Sequence, residues 1–494
     1  MLLDARTLAA NSVLRADICI IGAGAAGITL ALELEGAGLS VCVLESGGLV
    51  VTEPNKDLTR GRVLGIETWQ PDETRARVLG GTTALWSGWC RPLMREDFEP
   101  RPYIPDSGWP FGYDDLLPYY ARAHQTVEIG EMEYDPEVLA RTADRPLLPL
   151  EPSGLETRVY RFSPPTRFGE RYRSRLDGAA DVRVYLNANL RKLRLARRGA
   201  PISHLECATL DGGRFTVEAG RYVLALGGIE NARLLLCSND EQPEGIANGS
   251  GRVGEFLEHP HLYGSGSILW KDAPNLDFYG GLPVRSTVNG VPRDVRVIGA
   301  IGIKAPVRAS EGLPNLSATL ATVPLDTPSG VIGLDTAAAL LGRKGVLGAA
   351  QMTYRCEQTI APDSRVMLGA DLDALGMPRV ELHWNLSEEN RSAIRRSLGV
   401  FARELGRLGL GRLWDVHLTD APLVPAGGAH HMGTARMSRD PAKGVVDENG
   451  RAHEVENLYV AGGAVFPSGG DSNPTLTIVA LAHRLADHLK GAKA

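Results

Sequence analysis

The stretch from Asp17 to Gly48 constrains the fold of this 494-residue chain more than any other. Residues 18–21 are all apolar and mostly β-branched, as in a strand buried on both faces. Gly22, Gly24 and Gly27 follow in the order G-x-G-x-x-G and lead into good helix formers. Such glycines allow a tight turn, a close approach to a pyrophosphate and helix packing, while the helix N-terminus faces the phosphates. The pattern predicts an α/β fold with a dinucleotide site.

A second apolar run at residues 41–44 ends in Glu45, which lies 18 residues after Gly27. A carboxylate at this place accepts hydrogen bonds from a ribose 2′-hydroxyl and repels a 2′-phosphate, which favours FAD or NAD over NADP. A lone glycine fingerprint also occurs as an ordinary turn in α/β proteins. The strand, the helix and the acidic residue together favour the dinucleotide interpretation.

Length and charge narrow the class of protein. A chain of 494 residues with 43% hydrophobic content is long enough for two or three domains. The 53 basic and 59 acidic residues give a net charge of −6. This balance gives no reason to expect nucleic acid or an anionic membrane as a partner, and it mildly favours neutral or cationic substrates.

The cysteines and the N-terminus bear on the compartment. The six cysteines are scattered without a C-x-x-C pair, which predicts a reduced, cytoplasmic protein without a metal site. Residues 1–15 contain Asp4 and Arg6 and lack a continuous apolar core, so a secretory signal is not expected. The sequence has no apolar run of 18 residues, so we expect no membrane span.

Residues 77–88, Arg-Val-Leu-Gly-Gly-Thr-Thr-Ala-Leu-Trp-Ser-Gly, form a second glycine-rich segment. Its backbone N–H groups, hydroxyls and indole suit phosphate and isoalloxazine, although a glycine turn with a core Trp is the ordinary alternative. Together with the first fingerprint, this segment resembles the glucose-methanol-choline (GMC) oxidoreductase family, in which it lies against the flavin. Some sugar-oxidising members carry a His there that bonds covalently to the flavin. Because Leu85 stands at the comparable place, the resemblance implies noncovalent FAD.

The resemblance implies a Rossmann-type FAD-binding domain made of discontinuous segments plus a substrate domain with a mainly antiparallel sheet. Short or alternating apolar runs at 295–303 and 316–323 agree with such a sheet. We also expect a strand over 182–193, a helix capped by Asp114 or Asp115 and running towards Val127, and a helix from Ser387 to about Leu408. The predicted segments are FAD-binding 13–100, connecting 101–175, FAD-binding 176–262, substrate-binding 263–423 and FAD-binding 424–490.

The catalytic candidates lie near the end of the chain. Imidazole accepts a proton near neutral pH, as the oxidation of an alcohol requires. In the family, a His three residues before a Gly pairs with a His or Asn 43 residues later, and His430, Gly433 and Asn473 have this spacing. The resemblance implies His430 as base and Asn473 as its partner, with His431 as the fallback. Asn473 before Pro474 is also a typical helix N-cap.

Further site residues follow from the family resemblance. Glu357 and Gln358, in an expected strand, are either substrate-binding groups, as His431 is, or solvent-facing residues, which is the commoner case. The helix start after Asn473 is expected to stabilise negative charge on a reduced flavin. The cofactor-binding candidates are Gly22, Gly24, Ala26, Gly27, Glu45, Ser46, Arg77, Gly80, Gly81, Thr82, Thr83, Leu85, Trp86, Leu190, Gly227, Gly463, Asn473, Pro474 and Thr475.

The implied function is oxidation of an alcohol to a carbonyl, with oxygen or another electron acceptor. The runs 162–168 (Phe-Ser-Pro-Pro-Thr-Arg-Phe) and 472–477 (Ser-Asn-Pro-Thr-Leu-Thr) look most like bacterial members acting on sugars and glycosides, which favours a secondary ring hydroxyl. Three alternatives stay open. They are the same chemistry on an aminoglycoside, polyol or other secondary-metabolite alcohol, a lyase with non-redox FAD, and an NAD-dependent dehydrogenase.

Overall fold

A computed structural model describes residues 1–323 and 348–491. The strands, in chain order, are β1 (Leu2–Asp4), β2 (Ser12–Ile21), β3 (Val41–Leu44), β4 (Gly61–Gly65), β5 (Trp89–Cys90), β6 (Leu155–Phe162), β7 (Val182–Leu186), β8 (Asn189–Leu195), β9 (Ile202–Ala208), β10 (Arg214–Leu224), β11 (Pro260–Trp270), β12 (Leu282–Val288), β13 (Val291–Ile303), β14 (Leu316–Thr322), β15 (Ala349–Cys356), β16 (Arg365–Leu372), β17 (Pro378–Trp384), β18 (Gly411–Asp415), β19 (Ala426–Gly427) and β20 (Leu458–Val460).

Ten α-helices connect the strands in the described residues. They are α1 (Ala25–Leu34), α2 (Glu53–Asp57), α3 (Tyr113–Thr126), α4 (Pro136–Ala143), α5 (Phe168–Gly178), α6 (Gly227–Cys237), α7 (Asp277–Gly280), α8 (Ala305–Glu311), α9 (Glu388–Arg407) and α10 (Thr475–Gly491).

The first sheet carries the glycine fingerprint. Its strand order is β1-β7-β3-β2-β10, continued by the antiparallel hairpin β9-β8, and β20 also pairs with β10. Neighbouring strands in the run β1-β7-β3-β2-β10 are parallel to each other, and β20 is parallel to β10. Because β2, β10 and β20 end at the same edge, the chain places the residues that follow each of them close together there.

The second sheet is antiparallel in every described pairing and follows the order β18-β11-β15-β14-β13-β6-β5, with β12 beside β13 and β19 beside β11. A small third sheet has the order β16-β17-β4. Each of the two large sheets has its own extensive hydrophobic core. This is the combination of a Rossmann-type sheet and an antiparallel sheet that the sequence predicted.

Several local predictions differ from the structure. The strand expected over 182–193 is two strands, β7 and β8, because the chain turns at Asn187, which has a φ of 59°. Helix α3 is capped at Gly112, and Asp115 accepts from the Gly112 N–H instead of forming the cap itself. Glu357 and Gln358 follow the end of β15 and lie outside the strand. Helix α9 agrees with expectation, since the Ser387 side chain caps it.

Two structural observations bear on the predicted segments and on membranes. The two-residue strand β5 pairs with β6 of the second sheet, although residues 89–90 lie within the segment 13–100 predicted to bind FAD. Residues 324–347 of the predicted 263–423 segment lie outside the described residues. Among the helices of the described ranges, none combines the length and apolar content that crossing a bilayer requires.

Candidate active site

The loop between β2 and α1 is shaped by its glycines. Gly22 has a φ of 102°, and a Cβ on Gly27 would lie 1.8 Å from the Gly22 carbonyl oxygen. Helix α1 therefore begins in direct contact with the turn. Its N-cap is Gly24, which has no side chain to occupy the first N–H groups of the helix. These N–H groups remain for an anionic ligand such as a pyrophosphate.

The second glycine-rich segment closes over the first. The Gly80 N–H donates to the Ala23 carbonyl over 2.8 Å. A Cβ on Gly81 would lie 2.9 Å from the Gly24 Cα, so the two backbones nearly touch. Side chains larger than hydrogen would separate the two segments. The two glycine loops therefore form one backbone cradle, in which the first turn of α1 supplies the free N–H groups, whereas the Gly80 and Gly81 N–H groups bond to protein carbonyls.

Glu45 lies buried at the end of β3, beside this cradle. Its carboxylate accepts from the Ala23 N–H over 2.9 Å and from the Gly47 N–H over 2.8 Å. Burial raises the pKa of the Glu45 carboxyl. Each carboxylate oxygen keeps a further lone pair, so the group still accepts a bond from a ribose hydroxyl. Next to it, the Ser46 hydroxyl donates to the Asn189 side chain, which precedes Leu190 at the start of β8.

Arg77 is held by protein groups. Its guanidinium donates to the Ser46 hydroxyl over 2.9 Å and pairs with Glu230 over 2.8 Å. Arg75 and Arg233 also pair with Glu230, which lies in α6. This ion-pair cluster, which was not predicted from the sequence, ties the second glycine segment to the helix after β10.

The run 162–168, whose function the sequence left open, fastens the second glycine segment. The Arg167 guanidinium donates to the carbonyls of Thr83 and Trp86 over 2.8 and 2.9 Å, and the Trp86 indole donates to the Thr166 carbonyl over 3.1 Å. Thr83 is buried, whereas Leu85 is 52% exposed. Leu85 has no group that forms a bond to a flavin.

The remaining cofactor candidates follow β10, β20 and the start of α10. Gly227 has a φ of 79° and Gly462 a φ of 92°, and a Cβ on either would meet no atom within 4 Å. Because Gly462 is buried, this open space lies inside the protein. The cradle, the free helix N-terminus, the buried Glu45 and this space fit FAD. Gly463 starts a short helical turn after β20, and Pro474 and Thr475 start α10.

The second cluster of candidates surrounds His430. The Nε2 atom of His430 lies 3.0 Å from Nδ2 of Asn473, and its Nδ1 atom lies 2.9 Å from Nδ1 of His259. The Nε2 atom of His259 lies 3.3 Å from the Gly469 carbonyl oxygen. The carboxylate of Glu258 accepts from the His430 backbone N–H over 2.8 Å. His430 and Asn473, the two residues with the family spacing, are therefore in contact. His259 and Glu258 are further hydrogen-bond partners of His430.

These contacts fix the tautomer of His430. A carbonyl only accepts, so His259 carries its proton on Nε2 and offers the lone pair of Nδ1. His430 must then donate from Nδ1, which leaves its Nε2 lone pair to accept from the Asn473 amide. The chain of bonds holds Nε2 of His430 unprotonated and aimed at the Asn473 side, as a base requires.

The electrostatics keep this cluster neutral. Burial, reinforced by His259, His261 and Arg355, holds the pKa of His430 well below its usual value. Burial lowers the pKa of His259 to about 4 and that of His431 to about 3. Neutral imidazole at neutral pH follows from these shifts. Burial also raises the pKa of the Glu258 carboxyl to about 7.

Asn473 performs one of the two roles that the sequence left open. Its Oδ1 atom is buried without a hydrogen-bond partner in the described chain, so this oxygen does not cap the helix. The Nδ2 group contacts His430, and the backbone turn of α10 starts with the Pro474 carbonyl accepting from the Ile478 N–H. An unpartnered acceptor beside the base is a position where a ligand hydroxyl gains a bond.

The substrate candidates Glu357 and Gln358 are occupied by protein groups. Glu357 forms a two-pronged ion pair with Arg101, with contacts of 2.7 and 2.6 Å. The Gln358 side chain accepts from the Glu258 N–H and from the Trp384 indole. Both residues are almost fully buried, so the structure gives them stabilising contacts and leaves little for a substrate.

His431 points away from the Asn473 side of its neighbour. Its Nε2 lies 3.9 Å from the Glu258 carboxylate, and its ring packs on Phe256 at 5.8 Å between centroids. The sequence reasoning missed Glu258, His259 and His261. The run Glu-His-Pro-His at 258–261 was the available signal, because two histidines around a proline at a strand start share one face.

Comparisons with known proteins agree on the family. Residues 361–482 match the family model described as GMC oxidoreductase. The chain is 26% identical to 6'''-hydroxyparomomycin C oxidase of Streptomyces lividus over 97% of this chain and 92% of that protein. It is 26% identical to the fructose dehydrogenase large subunit of Gluconobacter japonicus over 97% and 98%. A C-glycoside 3-oxidase of Microbacterium trichothecenolyticum is 35% identical over 27% of this chain and 26% of that protein.

Solved structures with the same fold have lower sequence identity. Pyridoxine 4-oxidase from Mesorbium loti superposes with a TM-score of 0.58 at 17% identity, covering 97% of this chain and all of that chain. A formate oxidase superposes with a TM-score of 0.60 at 16% identity, covering 98% and 99%. These matches confirm the fold class predicted from the sequence.

Proposed function

We propose that this chain, which is a GMC oxidoreductase, binds FAD noncovalently and oxidises a secondary hydroxyl of a sugar or glycoside to a ketone. The observation that carries the proposal is the unprotonated Nε2 of His430 beside the amide of Asn473. FAD supplies, when bound, the acceptor for the hydride that leaves the carbinol carbon. His430 takes the hydroxyl proton at the same carbon, so one hydride and one proton leave the alcohol together.

Asn473 and His259 have distinct parts in this proposal. In the structure the Asn473 amide donates to Nε2 of His430. A substrate hydroxyl replaces that bond, so that its proton points at Nε2 of His430 and its oxygen accepts from the Asn473 amide, while the unpartnered Oδ1 accepts from a second substrate hydroxyl. His259 fixes the tautomer of His430 through the bond between the two Nδ1 atoms. Glu258 holds the backbone of both histidines. His431, Glu357 and Gln358 support this arrangement through packing and internal bonds.

Noncovalent attachment is supported by Leu85, which offers no nucleophile to the flavin. Acid precipitation tests this part: we expect FAD in the supernatant and a colourless pellet. Yellow colour retained by the pellet would contradict it. We further propose a cytoplasmic location, which the six cysteines, all buried and free, support.

The sugar or glycoside proposal rests on the names of the relatives and on the charge near the base. Two relatives are named for fructose and for a C-glycoside, whereas others are named for aminoglycoside oxidation. An aminoglycoside carries several ammonium groups, which favour carboxylates in a binding site. The carboxylate beside the base, Glu258, is occupied by the backbone N–H groups of His259 and His430. The cation Arg355 also lies near the base, and its charge opposes protonation of His430. This arrangement favours a substrate without ammonium groups beside the reacting carbon.

An anaerobic absorbance scan near the oxidised flavin maximum, at about 450 nm, tests the function against sugars, glycosides, aminoglycosides and simple alcohols. Bleaching by a sugar or glycoside supports the proposal, and product analysis identifies the oxidised carbon. Bleaching by aminoglycosides alone would show that the substrate is an aminoglycoside and not a neutral sugar or glycoside. A yellow protein that dithionite reduces, but that no alcohol reduces, would favour the lyase alternative.

A further inference from the structure

Arg355 occupies an unusual position beside the base. It lies in β15 directly opposite His261 of β11, and opposite residues of an antiparallel pair project from the same face of the sheet. The His261 ring lies 5.6 Å from the His430 ring. The Arg355 guanidinium carbon lies 4.2 Å from the Trp89 ring centroid and 5.3 Å from that of Tyr160. The guanidinium therefore lies within cation–π range of two aromatic rings, next to the catalytic candidates.

The charge of Arg355 has no partner in the described residues. The side chain is 6% exposed, and its Nε and Nη1 atoms are buried without hydrogen bonds. Within residues 1–323 and 348–491 no carboxylate forms an ion pair with it, whereas its neighbours are paired: Arg91 and Arg158 with Asp471. Two aromatic faces offset part of the cost of burying a cation, but an unpaired buried charge remains expensive.

The charges around it do not supply the missing anion. Asp471 already holds two arginines, and Glu357 is bound to Arg101. The histidines of the cluster are neutral, because burial lowers the pKa of His259 and of His430. Glu258 accepts the backbone N–H groups of His259 and His430, and burial raises the pKa of its carboxyl to about 7. Arg355 therefore adds a positive charge beside the base that no carboxylate of the described residues pairs with, although the whole chain is negative at −6.

We propose that Arg355 binds a carboxylate of the substrate, so that the alcohol oxidised at His430 belongs to a molecule with an acidic group, such as a uronic acid glycoside. This inference rests on the proposed function and names its substrate class more narrowly. A guanidinium binds a planar carboxylate through paired N–H groups, and the contacts with Trp89 and Tyr160 hold the Arg355 guanidinium in place. The same charge repels the ammonium groups of an aminoglycoside.

Binding without turnover tests the anion site on the FAD-loaded protein. Isothermal titration calorimetry compares cyclohexanecarboxylate with cyclohexanecarboxamide, which share a shape and lack a carbinol. We expect the carboxylate to bind the wild type at least about tenfold more tightly than the amide. Arg355→Gln should weaken carboxylate binding by about tenfold to a hundredfold and leave the amide nearly unchanged. Arg355→Lys, which keeps the charge but loses the planar fork, should fall between.

Arg285→Gln is the matched control, because Arg285 is an exposed arginine of the same sheet, in β12, and is paired with Asp294. It should change neither affinity by more than about twofold. Retained yellow colour checks the fold of each variant, and Arg355→Lys provides the comparison if the Gln variant does not fold. Equal affinities for the two probes in the wild type, no measurable binding of either, or a preference retained in Arg355→Gln would overturn the anion site.

Turnover separates this inference from the proposed function. Methyl glucuronide and methyl glucoside differ only in carrying a carboxylate or a hydroxymethyl group, and anaerobic flavin reduction measures each. If the glucuronide at low concentration reduces the flavin faster than the glucoside does, and Arg355→Gln abolishes this difference, both the anion site and the oxidation are supported. Reduction by the glucoside without a carboxylate preference overturns the anion site and leaves the oxidoreductase. Carboxylate binding without reduction by any alcohol leaves the anion site and removes the oxidation.

Discussion

The nucleotide cradle and the histidine cluster are built in opposite ways. The cradle is made of backbone, from glycine turns such as Gly22, whose missing side chain leaves room for Ala225, and Gly81, whose missing side chain lets the second loop approach Gly24. The cluster is made of side chains that come from the start of β11, from the segment after β19 and from the start of α10. Backbone sites need particular conformations, whereas side-chain sites need exact partners.

The difference predicts two kinds of failure. A change in the cradle should act on FAD binding as a whole, because one displaced turn moves several N–H groups together. A change in the cluster should leave the cofactor in place and slow the reaction. The size of the effect should depend on which hydrogen bond is lost in the series that links the Gly469 carbonyl, His259, His430 and Asn473. Substitutions in the two regions test this contrast.

Gly27→Ala should have the largest effect. A Cβ at this position would lie 1.8 Å from the Gly22 carbonyl oxygen, so helix α1 has to move away from the turn. We expect protein without yellow colour, measured as the FAD released per chain. The control is Gly178→Ala, at the end of α5, where a Cβ meets no atom within 4 Å. A fully yellow Gly27→Ala protein would contradict the role of this contact.

His430→Ala should keep the colour and lose the reaction. Removal of a general base slows the proton-coupled step by roughly a hundredfold or more, so flavin reduction in a stopped-flow experiment should slow by that factor. His204→Ala is the matched control, because His204 lies in β9, far along the chain from the cluster, and within the described residues its ring bonds to the neighbouring Ser203. Unchanged reduction in His430→Ala would remove this residue from the mechanism.

His259→Leu should have a smaller effect of the same kind. It removes the acceptor for the Nδ1 proton of His430, so the base is no longer held in one tautomer, and we expect flavin reduction to slow by about tenfold to a hundredfold. His259→Asn offers an oxygen near the place of Nδ1 and should recover part of the rate. Equal rates in the Leu and Asn variants would show that His259 contributes packing alone.

The pH dependence should be the smallest effect. Because burial and the neighbouring histidines lower the pKa of His430 well below 6.5, the base stays neutral as the pH falls from 8 to 6.5. The Glu258 carboxyl, whose pKa burial raises to about 7, is the group of this cluster that titrates within the range. We expect protonation of His430 to slow flavin reduction only below pH 6.5, so Glu258→Gln should remove any midpoint near 7. A midpoint at or above 6.5 that persists in Glu258→Gln would indicate that His430 is more solvated than the structure shows.

The same contrast explains how much the sequence predicts. The cradle obeys local rules, since the order of Gly22, Gly24 and Gly27 after a buried strand already specifies a turn, a helix and a ligand. Strand β3 and helix α9 were likewise readable from apolar runs and a cap. The spacing of His430 and Asn473 was recognised only through the family resemblance.

The rest depends on pairing between distant segments. His259 and Arg355 meet the site because β11 pairs with β15 and the chain returns 171 residues after His259 with His430. The alternation of apolar and polar residues predicts which side chains of a strand share a face, but it does not predict which other strand lies beside it. Glu357 looked available in the sequence for the same reason, because its partner Arg101 lies 256 residues away.

The pairing of β20 with β10 has a consequence for biosynthesis. The glycine turn at residues 22–27 leaves the ribosome long before Asn473, and at about 5–20 residues per second the interval is on the order of 20–90 s. During that time the first sheet lacks β20, and α1 lacks helix α10, which packs against it in the finished molecule. The first sheet and the space beside Gly462 are therefore completed late, and a chain released early lacks the part of the proposed flavin site that the C-terminal segment supplies.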